Sequence, residues 1–197
     1  MDFFIILIFC VIIILIVYFL CYKFYFYYKS EYVKSNIDNQ YYLVKNTKNK
    51  YKKADLMAIL FQNINMLLDY LENNSIKLNN ENIDYQKIKN IIKNSEIIEN
   101  ITNSDTSYTI NKGEKIILCL ANRKTDNLYD INLIIYVLLH ELAHIINSTY
   151  GHDKNFKTVF KELVDNAIKI KIYKYENYKE NPQEYCGMEL NTNIIKN

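Results

Sequence analysis

The three histidines of this 197-residue chain all fall between positions 140 and 152, in the segment His140-Glu141-Leu142-Ala143-His144 and then His152. Residues four apart on a helix lie one above the other, so His140 and His144 would project two imidazoles toward a single point. A zinc ion requires that convergence. Glu141 is turned by about 100° from His140. That removes it from the ligand set and leaves it able to reach a metal-bound water as general base, with zinc lowering the water's pKa toward about 7 and polarising a scissile carbonyl. The chemistry expected is peptide-bond hydrolysis with one Zn2+ per chain. The short HExxH pattern also arises by chance. A structural alternative is a buried histidine pair bonded to backbone or carboxylate, with Glu141 an exposed charge, but scattered core histidines would not all cluster in one segment.

The third ligand has two candidates. The motif helix is expected to end near Asn147, and Gly151 can adopt a backbone conformation that swings His152 back to the site. Glu162, on the following helix, would complete the site with a carboxylate, with Asp165 as an outer partner; for both acids a solvated helix face is the plain alternative. Near the end of the chain, Tyr185-Cys186-Gly187-Met188 is expected to return beside the zinc. Met188 would floor the site, or simply pack, and Tyr185 would stabilise an oxyanion. Cys186 reads as an inert buried thiol or as a thiolate in the open zinc position that keeps the enzyme latent.

These side chains need a scaffold, and the pattern predicts an α+β, zincin-like metallopeptidase domain: a small sheet packed on the HExxH helix, preceded by a transmembrane helix. Leu56, Leu60, Ile64, Leu67, Leu68 and Leu71 recur at helical spacing over Ala54 to Glu72. Tyr85, Ile88, Ile91 and Ile92 mark a second helix, with continuation through Ile97, Ile98 and Ile101 left open. Tyr108-Thr109-Ile110 and Lys115 to Leu120, joined by Asn111-Lys112-Gly113-Glu114, read as a hairpin, with Ile116 to Leu120 the edge strand that binds substrate by strand addition. Asp130 is a plausible N-cap for the motif helix from Ile131 to about Asn147, and Asp153 for the next.

At the other end, Phe3 to Leu20 carries no charge, and roughly 20 helical residues span a bilayer core of about 30 Å. Met1-Asp2 offers no basic n-region and Tyr22-Lys23-Phe24-Tyr25 no small-residue cleavage site, which favours an anchor over a cleaved signal peptide. Tyrosines crowd its C-terminal flank, followed by Lys23, Lys29 and Lys34, which places the catalytic domain on the cytoplasmic side of a single-pass membrane. The expected organisation is an anchor over 1–28, a juxtamembrane linker over 29–53 and the metallopeptidase domain over 54–197. Basic and acidic residues nearly balance, 24 against 22, so no clear nucleic-acid surface is implied. Cys10 and Cys21 lie in the apolar run; Cys119 and Cys186 read as two reduced thiols in a cytosolic domain.

The motif HELAH followed by Gly151-His152-Asp153 and Phe156 resembles the WLM group of zinc metallopeptidases and, more distantly, the SprT and Spartan group. A wider stretch is similar to WLM-domain proteins of large DNA viruses: Tyr108 with Asn111-Lys112-Gly113, Leu118-Cys119-Leu120, Tyr136 to Leu139, Asn181-Pro182 and Tyr185 to Met188. The resemblance implies His140, His144 and His152 as ligands, Glu141 as base, and a protein substrate. Those groups are associated with cleaving proteins crosslinked to DNA, a pattern from which this chain departs by its anchor and by showing no basic tail. The other function class consistent with the residues is a non-catalytic, membrane-tethered zinc-binding protein that organises partners through the same cleft.

Overall fold

A computed structural model describes residues 3–102 and 106–191. The chain runs α1 (Phe3–Lys29), β1 (Ser30–Lys34), β2 (Tyr41–Lys45), α2 (Lys50–Asn73), α3 (Tyr85–Asn94), β3 (Glu96–Glu99), β4 (Tyr108–Ile110), β5 (Lys115–Leu118), α4 (Ile131–Ile146), α5 (Lys154–Lys169), β6 (Gln183–Tyr185) and β7 (Met188–Leu190). One sheet has the order β1-β2-β3-β5-β4, parallel in the middle and antiparallel at both ends; β6 and β7 form a separate hairpin.

α4 is apolar nearly all round and is buried accordingly, from Leu133 to Ile145, between α2 and α5. α2 buries the leucine stripe that its spacing dictates, together with Met57 and Phe61. α5 turns Phe156, Val159, Phe160, Leu163 and Val164 inward onto α4. The result is an α+β fold in which α4, the helix bearing the histidine pair, runs through the core.

Two expectations need correction, and one open boundary is decided. The stretch 29–53 is not a linker: α1 passes directly into β1, and β1 and β2 extend the sheet with Val33, Tyr42, Leu43 and Val44 buried. The helix whose continuation past Ile92 is open in the sequence ends at Asn94, with Ser95 extended, and Ile97 and Ile98 lie in β3 between β2 and β5. The edge strand next to the site is β4, not the segment from Ile116, because β5 pairs on both sides.

One buried ionic cluster ties these pieces together. Lys53, fully buried, places Nζ 3.0 Å from Glu99 and 2.6 Å from Asp126, while the Lys45 backbone N–H donates to Glu99 at 2.7 Å. Burial pushes the Glu99 carboxyl up, and Lys53 opposes that shift. Removing one partner strands a buried charge, so Lys53→Ala is expected to cost about 3–5 kcal/mol. Lys53→Met combined with Glu99→Met should recover most of that loss in urea unfolding of the full-length chain.

Candidate metal centre

Asp130 caps α4, accepting from the Asn132 N–H at 2.9 Å, and the helix then carries His140, Glu141 and His144 in register. α4 ends at Ile146, and Asn147 is extended. The returning loop contains Gly151, at φ +81°, a backbone state that favours glycine, and brings His152 back just before Asp153 caps α5 at Phe156, 2.8 Å. Phe156 stacks on His144 at 4.3 Å between ring centroids and meets His140 edge-on at 4.9 Å. Phe160 lies edge-on to His140 at 5.2 Å. α5 therefore holds the imidazoles in place with aromatic faces.

The three Nε2 atoms converge: His140 to His144 is 3.2 Å, His144 to His152 3.1 Å, and His140 to His152 3.0 Å. Hydrogen bonding cannot satisfy this triangle, because each neutral Nε2 is either donor or acceptor and at least one pair must then be alike. A tetrahedral ion with nitrogen ligands at about 2.0–2.1 Å needs nitrogens roughly 3.3–3.4 Å apart. The triad lies within a few tenths of an ångström of that and fits a metal ion. Among the described residues these three histidines form the group able to hold one. Burial, reinforced by the neighbouring imidazoles, pushes His140 down to about 3; burial and the charges of His152 and Lys112 push His144 down to about 4. Both are neutral near pH 7, as ligation requires.

Glu141 is buried beside the cluster. Burial raises its carboxyl to about 7, and the Thr109 backbone of the edge strand β4 opposes that rise. A carboxylate so placed has the basicity suited to moving protons near neutral pH. The competing ligand Glu162 is elsewhere: its Oε2 accepts from the Asn79 N–H at 2.7 Å, and Asp165 pairs with Lys161 at 2.6 Å.

The segment Tyr185 to Met188 does return to the site, in a different capacity from that expected. The Tyr185 hydroxyl is buried and raised by that burial; it donates to the Cys119 carbonyl at 2.8 Å and shares a 2.6 Å hydrogen bond with Ser107. It is engaged away from the triad. Met188 is exposed and lines the rim of the histidine cleft rather than its floor. Cys186 is neither a free thiol nor a zinc-facing thiolate: it forms a disulfide with Cys119, which follows β5, so the expectation of two reduced thiols is overturned.

Sequence reasoning passed over Lys112. Its ammonium donates to the carbonyls of Asn147 and Thr149, the latter at 2.8 Å, and lies over the Tyr150 ring. It thereby clamps the loop that delivers His152. The only signal was the Asn-Lys-Gly turn, where Asn111, Lys112 and Gly113 all have positive φ. A Cβ on Gly113 would collide with the Ile91 side chain.

Residues 107–195 match the WLM domain. An uncharacterized protein of Acanthamoeba polyphaga mimivirus is 39% identical over 169 residues, covering 85% of this chain and 86% of its own. Uncharacterized protein 042R of Invertebrate iridescent virus 3 is 39% identical over 100 residues, 50% of this chain and 58% of its own. Crystal structures of Wss1 from Saccharomyces cerevisiae and from S. pombe are 20% and 19% identical, with TM-scores of 0.49 and 0.44. They cover 66% and 63% of this chain and 88% and 87% of theirs. The chain belongs to the WLM-domain family, among the WLM-type proteins of large DNA viruses.

Proposed function

We propose that this chain is a membrane-anchored zinc metallopeptidase that hydrolyses peptide bonds in protein substrates. The observation that carries the reading is the convergence of three imidazole Nε2 atoms within 3.0–3.2 Å of one another beside a buried carboxylate. Zinc, when bound, supplies a Lewis acid that polarises the substrate carbonyl and makes a water acidic near neutral pH. The chain's own residues do the rest. His140, His144 and His152 hold the ion, and Glu141 takes a proton from the attacking water and passes it to the leaving amine. An extended substrate would add to the sheet along β4, the edge strand beside Glu141.

Elemental analysis of the full-length chain in detergent tests this directly. One zinc is expected in the wild type and in Glu162→Ala, with marked loss in His152→Ala; a folded wild type without zinc would sink the reading. Lys112→Met, which releases the loop carrying His152, is expected to weaken zinc binding about 10–100-fold in chelator competition, the scale seen for residues that orient metal ligands.

α1 supplies the anchor in this reading. It is 27 residues long, about 40 Å at helical rise, and its span Leu7–Phe24 has a mean hydropathy of 2.7 and is left uncovered by the described residues. Lys23, Lys29 and Lys34 at its exit favour a cytoplasmic domain, whereas the Cys119–Cys186 bridge favours an oxidising side of the membrane. Protease digestion of sealed vesicles separates the two orientations.

A further inference from the structure

Beside the histidine cleft lies a cavity of about 180 Å3 that the proposed hydrolysis leaves unused. Tyr136 and Val137 line it from α4, about one helical turn before His140. Phe160 lines it from α5, and Tyr185, Met188 and Leu190 from the β6–β7 hairpin. His140, Glu141 and Met188 line both this cavity and the histidine cleft, so the two hollows adjoin at the group that would do the chemistry.

Its walls are mostly apolar. The charged side chains lining it are two carboxylates, Glu141 and Glu189, with no lysine or arginine among the described residues. An acidic guest would meet like charge. A basic guest would find Glu189 exposed to solvent and Glu141 engaged as the base, and would otherwise set its charge against Val137, Phe160 and Leu190, where a charge is costly. Size narrows the guest further. A cavity of about 150 Å3 accommodates benzene, whereas sites for whole small-molecule ligands begin near 300 Å3. This volume suits a single side chain between leucine and phenylalanine in size.

We propose that this cavity is a specificity pocket that receives one apolar substrate side chain flanking the scissile bond, with Val137 and Leu190 setting its depth. The proposal rests on the metallopeptidase reading for its substrate, but the pocket can be tested apart from turnover. The β6–β7 hairpin is then a substrate-recognition element, and the disulfide at its turn fixes the position of one pocket wall.

The experiment maps cleavage sites in an unfolded protein digested by the zinc-loaded, full-length chain, comparing wild type with Val137→Phe and Leu190→Ala. Leucine, methionine or phenylalanine is expected at one fixed position beside the cleaved bond. In Val137→Phe, kcat/KM for a leucine peptide should fall at least about 30-fold while that for its alanine counterpart changes less than about 3-fold. Leu190→Ala should shift the preference toward larger rings. A basic preference, no preference at either flanking position, or a preference that both variants leave unchanged overturns the pocket. A folded, zinc-loaded wild type that cleaves nothing fails the peptidase reading instead, and the pocket is then judged by binding. Leucine hydroxamate binding at least about 10-fold tighter than glycine hydroxamate, with the difference lost in Val137→Phe, supports it. Equal binding of the two by the wild type overturns it.

Discussion

Glu141→Gln is expected to retain one zinc per chain while lowering the rate of peptide hydrolysis by about 10²–10⁴-fold, the contribution of a positioned general base. Glutamine keeps the shape of the side chain and can still meet Thr109, so the helix and the three imidazoles should stay where they are. It cannot accept a proton at neutral pH. Paired metal and rate measurements therefore distinguish this chemistry from its neighbours. Retained zinc with lost rate assigns Glu141 to the reaction. Lost zinc would make it part of the metal's support, and an unchanged rate would remove it from the mechanism. A wild type that binds zinc but cleaves none of a broad set of proteins would instead favour a tethered zinc-binding protein that organises partners.

That the centre can be addressed this directly reflects how local its signal is. His140 and His144 fall on one face because helices repeat near every four residues, and His152 returns within a short loop whose glycine permits the turn. Local periodicity was also enough for the leucine stripe of α2, for α4, and for α5 with its Asp153 cap. It failed where tertiary pairing decides the structure. β2 carries three consecutive buried residues, Tyr42, Leu43 and Val44, rather than an alternating set, so nothing in that tyrosine- and lysine-rich stretch has the period of a strand. Ile97 and Ile98 continue the helical spacing of α3, and only docking between β2 and β5 makes them strand. Glu99 looks like a surface acid until Lys53, 46 positions earlier, is found buried against it. That β4 rather than β5 forms the sheet edge depends on strand order, which no local pattern encodes. The partnership of Cys119 with Cys186, separated by 67 residues, is likewise a product of the finished fold.

That disulfide leads to the second large effect. Reduction, or Cys119→Ser with Cys186→Ser, is expected to destabilise the full-length chain by about 4 kcal/mol, from the chain-entropy cost of opening a loop of that size. The loss should be concentrated at the hairpin. What remains to hold β6 and β7 includes the Tyr129 hydroxyl, accepting from the Cys186 N–H at 2.7 Å and donating to Glu184 at 3.1 Å, Asn122 donating to Glu184 at 2.9 Å, the Tyr129–Tyr185 ring contact at 5.0 Å, and the Tyr185 hydroxyl between Ser107 and the Cys119 carbonyl. Hydrogen exchange should therefore rise in residues 183–190 while α4 and α5 stay protected and zinc content stays at one, because no ligand lies on the hairpin. A chain denatured without reductant should show two free thiols, Cys10 and Cys21, and four after reduction. Four thiols before reduction, or equal stability with and without reductant, would refute the bridge. An activity gain in Cys186→Ser alone would instead revive a latent, thiolate-blocked centre, which the bridged sulfur excludes. Since Met188 and Leu190 follow the bridged turn directly, loosening it should blunt any side-chain preference before it affects hydrolysis itself, separating the hairpin's role from that of the histidines.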